Sequence, residues 1–211
     1  NKALIIADPP LNNFKKLSQL PGARKEGLSV LKILNENEFI VNDKISSTGI
    51  DILRALKSDD YKIIHMAGHG IFQDAASLNM GMVIGEDLYL SPIDIKQMST
   101  VPELVFVNCC YLGVINSEAE SLFQTRYKMA ANLGTQLIEN GVKAVIIAAW
   151  AVNDDAALKF SELFYQRMFE GYNFASATRI AREALFSEYE YTNNTWGAYQ
   201  CYGDPFYKVN R

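Results

Sequence analysis

The stretch Ile63-Ile64-His65-Met66-Ala67-Gly68-His69-Gly70 is an apolar run that ends in a histidine between two glycines. A second run, Leu104-Val105-Phe106-Val107-Asn108, is followed at once by Cys109 and Cys110. Such runs are typical of buried parallel strands, and open α/β sheets place their sites at the carboxyl ends of these strands. We therefore expect His69 and one cysteine at the same sheet edge, where an imidazole and a thiol can form a nucleophile and its acid/base partner.

The rest of the chain alternates short apolar runs with amphipathic segments. The third and fourth strands are predicted to end at Met66 and Asn108, just before the glycine–histidine turn and the cysteines. Helix starts are predicted at Thr48 and Ser91, each with Asp three residues later. The repeated β-then-α order predicts the α/β class, with a mostly parallel central sheet of about six strands and helices on both faces. The other predicted strands are Ala3–Ala7, Phe39–Val41, Ala144–Ala149 and Ala198–Tyr202, with a small hairpin at 82–90.

Composition limits what the protein can do. The 211 residues have a net charge of −4 and no basic block, which argues against binding to nucleic acid or to an anionic membrane. Three cysteines, two of them adjacent, make no disulfide framework, so we expect a reducing cytoplasm. No internal repeat or linker is visible, and residues 1–211 are expected to form one domain. The start inside a strand pattern suggests a domain cut from a longer protein.

Two rival chemistries have weaker support. The first strand leads into Asp8-Pro9-Pro10, not into a glycine-rich phosphate loop, so no nucleotide cofactor is expected. Two histidines and two cysteines match the ligands of zinc, but their spacing is wrong for strand and turn positions, and no metal site is predicted.

His65 shares a strand face with His69 and is expected to be a buried supporting residue. Gly70 is expected to allow unusual backbone angles and close approach of a ligand.

Adjacent residues of a strand point to opposite faces, so only one of Cys109 and Cys110 can face His69.

Val114–Arg126, which follows the cysteines, is polar and aperiodic and is predicted to be a mobile loop. The chain also carries five motifs, which are in sequence order Leu20-Pro21-Gly22-Ala23-Arg24-Lys25-Glu26, His65–Gly70, Val107–Gly113, Ala149–Asp154, and Asn194–Pro205.

Together these motifs resemble the CHAT domain, a prokaryotic branch of the caspase-like cysteine peptidases that also include metacaspases and separases. The resemblance implies a caspase-like three-layer sandwich. It identifies His69 as the acid/base and Cys110 as the nucleophile, with backbone N–H groups of Gly70 and Cys110 binding the oxyanion. Cys109 departs from the small residue usual at its position.

The same resemblance implies a substrate pocket formed by Trp150, Val152 and Asp154, because a similar segment of separases supplies an acid that takes a basic residue. The residues alone allow another interpretation, in which Asn153 and Asp154 merely open the next helix.

The expected function is a cysteine endopeptidase that cleaves a specific protein substrate through an acyl-enzyme. The alternatives are a catalytically silent caspase-like module used for binding or scaffolding and, with less support, a His/Cys zinc domain. The resemblance also implies a regulatory or helical-repeat domain in the full-length chain and a role in prokaryotic defence or cell death.

Overall fold

A computed structural model describes residues 1–12, 17–72, 80–112 and 130–210, with the backbone alone for residues 72, 80 and 110–112. The predicted loop at Val114–Arg126 lies outside the described residues. The strands are β1 (Lys2–Ala7), β2 (Ile40–Ile45), β3 (Ile63–Phe72), β4 (Met80–Gly85), β5 (Leu88–Leu90), β6 (Leu104–Leu112), β7 (Ala144–Ala148) and β8 (Tyr199–Gly203). The helices are α1 (Pro21–Glu36), α2 (Gly49–Leu56), α3 (Pro92–Lys96), α4 (described over 130–139), α5 (Asp154–Phe169), α6 (Phe174–Tyr189) and α7 (Thr195–Ala198).

The central sheet has the strand order β2-β1-β3-β6-β7-β8. All neighbouring pairs along this path are parallel except β7 and β8, which are antiparallel. The hairpin of β4 and β5 attaches to the end of β3 in antiparallel fashion. The predicted α/β class, with a mostly parallel sheet of about six strands, is confirmed.

Both faces of the sheet are buried, which explains the unbroken apolar runs of its strands. On one face Ile63 and Ala67 of β3 belong to a core that α1, α5 and α6 cover. On the other face Ile64 and Met66 belong to a second core that α2, α3 and α4 cover. No helix in the described part of the chain is long and apolar enough to cross a bilayer.

The predicted helix starts are confirmed. The Thr48 side chain accepts a hydrogen bond from the Asp51 amide at the start of α2. At the start of α3 the Asp94 carboxylate accepts from the Ser91 amide at 2.8 Å and from the Ser91 hydroxyl at 2.7 Å. These caps fix where the helices begin, and therefore the direction in which the chain leaves each strand.

The third and fourth predicted strands are too short. β3 runs to Phe72 and β6 to Leu112, so positions 69 and 110 lie within strands and not in loops after them. The extra length arises because β3 and β6 stay paired through Ile71 and Leu112, and because β4 pairs with β3 where β1 has stopped. Gly70 accordingly lies in regular strand, and the expectation of unusual backbone angles there is wrong. The glycines with positive φ in the described chain are Gly141, Gly171 and Gly203.

A polar cluster connects the amino ends of β3, β6 and β7 to the segment that follows β8. Glu103 accepts hydrogen bonds from Lys143 Nζ at 2.7 Å and from the Tyr207 hydroxyl at 3.1 Å. The ammonium of Lys62 lies 4.0 Å from the same carboxylate. Burial opposes ionisation of Glu103, but these hydrogen bonds and charges outweigh it and hold its pKa below the ordinary value of 4.5.

The substitution Glu103→Gln tests this cluster. A carboxylate with a lowered pKa in the folded state stabilises that state above its ordinary pKa, and this contribution is lost as the pH falls through the folded pKa. We expect the variant to lose about 1 kcal/mol of unfolding free energy at pH 7, since the group is partly exposed, and less below pH ~4.5. Urea denaturation of both proteins at pH 7, 5 and 3.5 measures the difference, and a difference independent of pH would contradict the expectation.

Candidate active site

Positions 69 and 110 are direct neighbours in the sheet. β3 and β6 are adjacent and parallel, and their register pairs His69 with Cys110. Paired residues of neighbouring parallel strands lie on the same face, with about 4.8 Å between the strands. The backbone pairing gives residue 110 a position on the face of the sheet to which His69 belongs.

Cys109 belongs to the opposite face. It pairs with Gly68, is fully buried, and packs in the core with Met66 and Val107. Strand alternation alone left open which cysteine shares a face with His69, and the resemblance selected Cys110. The register agrees, because it pairs position 110 with His69.

His69 is half-buried, and one of its ring nitrogens has a fixed partner. Its Nε2 lies 2.8 Å from the carbonyl oxygen of Ser18. Because a carbonyl only accepts hydrogen bonds, Nε2 carries the proton and donates it. In the neutral imidazole the lone pair is then on Nδ1, which leaves that atom available to accept a proton.

Gly70 follows His69 in β3 and is buried. It pairs with Tyr111 of β6 on one side and with Met82 of β4 on the other. The predicted oxyanion groups, the amides of Gly70 and Cys110, therefore belong to the same pair of strands as the two reactive positions. Their role in binding an oxyanion stays a prediction.

His65 lies two pleats below His69 on the same face and is completely buried. Its Nδ1 is 3.2 Å from the Tyr165 hydroxyl, and its Nε2 is 3.3 Å from Glu26 Oε1. The second pair of atoms does not form a hydrogen bond. Burial, and then the charge of Glu26, raise the pKa of Tyr165 well above its ordinary value, so the phenol stays protonated. The expectation of His65 as a buried residue beneath the site agrees with this placement.

Glu26 and Asn108 complete this buried cluster, and the functional interpretation of the sequence missed both. Asn108 Nδ2 donates to Glu26 Oε2 at 2.5 Å, whereas Asn108 Oδ1 has no hydrogen-bond partner among the described residues. A sequence signal for Glu26 existed, because it stands on the buried stripe of α1 beside Gly27 and Val30. A charged residue on an apolar stripe is seldom fully buried without a partner.

A cavity of about 180 Å³ opens between α1, α5 and the strand ends. It brings His69 together with two of the three predicted pocket residues, Val152 and Asp154. Its lining residues are Leu20, Gly22, Ala23, Glu26, Gly68, His69, Asn108, Val152, Asp154 and Ala157. Trp150 is not one of them. Its indole N–H donates to Asn194 at 3.2 Å, and its ring packs beside Gly197.

Asp154 lies both in the first turn of α5 and at the cavity, and its role in binding a substrate stays a prediction. Asn153 is the N-cap of α5 and accepts from the Ala156 amide at 3.1 Å, which puts Asp154 in the first turn. Asp154 also lines the cavity, where its carboxyl group lies against Gly22 of α1. A Cβ added to Gly22 would stand only 2.2 Å from the Asp154 carboxyl carbon. The two helices therefore approach this closely only because residue 22 has no side chain.

The zinc alternative finds no support in this geometry. The His65 nitrogens contact Tyr165 and Glu26, and Cys109 lies on the far side of the sheet from both histidines. The described residues contain no group of three or more His, Cys, Asp or Glu side chains placed to hold a metal ion.

Solved structures of cysteine peptidases share this fold. The Arg-specific cysteine proteinase gingipain R matches with a TM-score of 0.59 and 12% identity, over 99% of this chain and 47% of that one. The complex of Porphyromonas gingivalis RgpB pro- and mature domains matches with a TM-score of 0.61 and 14% identity, over 99% of this chain and 48% of that one. The Saccharomyces cerevisiae separase–securin complex matches with a TM-score of 0.50 and 17% identity, over 96% of this chain and 12% of that one. The chain thus spans about half the length of the gingipain chains.

No curated protein sequence matches the chain significantly. The family model of the CHAT domain does match, over residues 1–204, which is nearly the whole chain. This sequence match agrees with the caspase-like sheet and with the pairing of positions His69 and Cys110. The chain belongs to the CHAT domain family and has the fold of the caspase-like cysteine peptidases.

Proposed function

We propose that the protein is a cysteine endopeptidase in which Cys110 is the nucleophile and His69 the acid/base. The observation that carries the proposal is the direct pairing of these positions in adjacent parallel strands, beside an open cavity. A thiol and an imidazole on one face of neighbouring strands lie within reach of a shared proton.

The first half of the proposed reaction follows from the His69 tautomer. Nδ1 takes the proton of the Cys110 thiol, and the thiolate sulfur attacks the carbonyl carbon of the substrate. The carbon–oxygen double bond becomes an oxyanion, for which the amides of Gly70 and Cys110 are the proposed donors. The carbon–nitrogen bond then breaks as Nδ1 returns its proton to the leaving amine.

The second half releases the acyl group. Nδ1 removes a proton from water, the hydroxide attacks the thioester carbonyl, and the carbon–sulfur bond breaks. The proton then returns to the thiolate, so the enzyme is regenerated. Throughout, the Ser18 carbonyl accepts from Nε2 and stabilises the imidazolium that forms in each half.

The two cysteines give a matched test of the nucleophile. Cys110→Ala should abolish turnover while leaving the fold intact, because Cys109 lies on the opposite face of the sheet and Cys201 lies in β8, three strands away from β3. Cys109→Ala should retain turnover and lose about 1 kcal/mol of unfolding free energy, because it empties a buried position. Acyl-enzyme trapping and peptide hydrolysis measure both variants. Activity in Cys110→Ala would reject the assignment, and an inactive wild type would favour the silent scaffold.

The two histidines give a second matched pair on one strand face. His69→Ala should lower kcat by ~10²–10⁴-fold with little loss of stability, because it removes an acid/base from a half-buried position. His65→Ala should lower the free energy of unfolding by about 3 kcal/mol, because it empties a fully buried position against Phe106 and leaves the Tyr165 hydroxyl without this hydrogen bond. Guanidinium denaturation measures the loss of stability, and kcat per titrated active site measures the loss of activity. A fully active His69→Ala, or a stable but inactive His65→Ala, would contradict the proposal.

We further propose that the residue before the cut is Arg or Lys. Three residues with acceptor oxygens line the cavity beside His69, namely Asp154, Glu26 and Asn108, and Asn108 Oδ1 has no partner among the described residues. A guanidinium or ammonium supplies the donors that such a wall lacks. The named specificity of gingipain R for Arg supports the same class of substrate.

A peptide library cleaved by the wild type and two variants tests this specificity. Because Asp154 is exposed and solvent screens its charge, a charge-assisted pair there contributes about 1 kcal/mol, so Asp154→Ala should reduce kcat/KM for Arg and Lys substrates by about 5-fold. Asp155→Ala is the control, since it removes another first-turn acid of α5 that does not line the cavity. Efficient cleavage after Asp, or a basic preference unchanged in Asp154→Ala, would rule out the pocket.

A further inference from the structure

We infer that Asp8 is a positioning residue for His69. It fixes the segment 17–20, whose Ser18 carbonyl holds the imidazole by its Nε2 proton. The inference rests on the proposed function of His69 and adds a residue that does not itself contact the reacting groups.

Asp8 is anchored to the sheet and is almost fully buried, with 3% of its surface exposed. It follows β1, and its amide donates to the Ala67 carbonyl at 3.0 Å, which extends the pairing of β1 with β3. Its φ of +45° is uncommon for a residue with a side chain, although Asp tolerates it better than most. This backbone turns the chain away from the sheet at the level of the site.

The Asp8 carboxylate collects donors from the segment 17–20 and from α1. Its Oδ1 accepts from the Leu20 amide at 2.8 Å and from Gln19 Nε2 at 2.8 Å. Its Oδ2 accepts from Arg24 Nε at 3.1 Å. A buried carboxylate loses its hydration, so these donors must satisfy it, and they in turn become fixed to the end of β1.

Gln19 strengthens the same attachment from the other side. Its Nε2 also donates to the Pro9 carbonyl at 3.1 Å, and its Oε1 accepts from the Leu11 amide at 3.2 Å. Ser18 therefore stands immediately before two residues that are bound to the segment 8–11. The carbonyl that His69 uses is held by its neighbours and not by a side chain of its own.

The consequence for His69 is orientational. The ring is only half-buried, so packing alone does not fix its rotation about χ2. The 2.8 Å hydrogen bond from Nε2 to the Ser18 carbonyl fixes that rotation and directs Nδ1 away from the segment 17–20. A misplacement of a catalytic group by about 1 Å can cost ~100-fold in rate. Loss of the contacts that hold the segment 17–20 should therefore lower kcat more than it raises KM.

The test combines kinetics with a spectroscopic readout. In wild type the His69 Nε2 proton should give a slowly exchanging imidazole N–H resonance in ¹⁵N-labelled protein. In Asp8→Asn and Gln19→Leu this resonance should broaden or vanish, and kcat should fall by ~10- to 100-fold with KM changed less than ~3-fold. Asp8→Asn keeps a neutral acceptor for the Leu20 amide and should lose less than Asp8→Ala. Gln19 is exposed, so its variant should fold even where Asp8→Ala does not.

Glu103→Gln is the matched control. It removes another multiply bonded carboxylate, at the opposite end of the sheet, and should lower stability without changing the resonance. An unchanged resonance and kcat in folded Asp8→Asn and Gln19→Leu would overturn the inference while leaving the peptidase intact. If the wild type shows no turnover but the resonance still vanishes in the two variants, the role of Asp8 is upheld and the peptidase is rejected.

Discussion

The parallel pairing of β3 with β6 is the constraint on which the rest of the structure depends. Its register runs without interruption from Ile63 and Leu104 to Ile71 and Leu112, beyond the points where β1 and β7 stop. The ladder buries apolar residues on both faces along most of its length and carries positions 69 and 110 on its far end. A slip of one residue would exchange the faces of Cys109 and Cys110. The hydrogen-bonded ladder that stabilises the core therefore also aligns the proposed reactive pair.

Beneath that pair the sheet contains a polar cluster where an apolar core would be simpler. Glu26, His65, Asn108 and Tyr165 are all buried and form one chain of contacts. Such clusters seldom add net stability, since desolvation offsets their attraction. What this cluster provides is a fixed arrangement of polar atoms two pleats below His69. Asn108 belongs both to the cluster and to the cavity wall, so it links the buried charges to the space where a substrate side chain would bind.

Much of the fold could be predicted because each strand is a short apolar run and the helix starts carry local caps, such as Thr48 with Asp51. The ends of β3 and β6 could not be predicted, because they depend on pairing with a distant strand and with the β4–β5 hairpin. The juxtaposition of His69 with the cysteines followed from general rules on sheet edges, and the resemblance selected Cys110. Ser18, Asp8 and Asn108 were missed because their roles arise from contacts across the fold, and no local pattern marks them. Glu26 was visible as a charge on an apolar stripe.

The close approach of α1 and α5 at Gly22 has a consequence for electrostatics. Both helices begin at the cavity, so two positive ends of helix dipoles meet there and repel each other. The Asp154 carboxylate lies in the first turn of one helix and against the first turn of the other. Its negative charge is therefore favourable to both macrodipoles, alongside that of Asp155 in the first turn of α5. Without the Asp154 carboxylate, both helix ends would present partial positive charge to this part of the cavity wall.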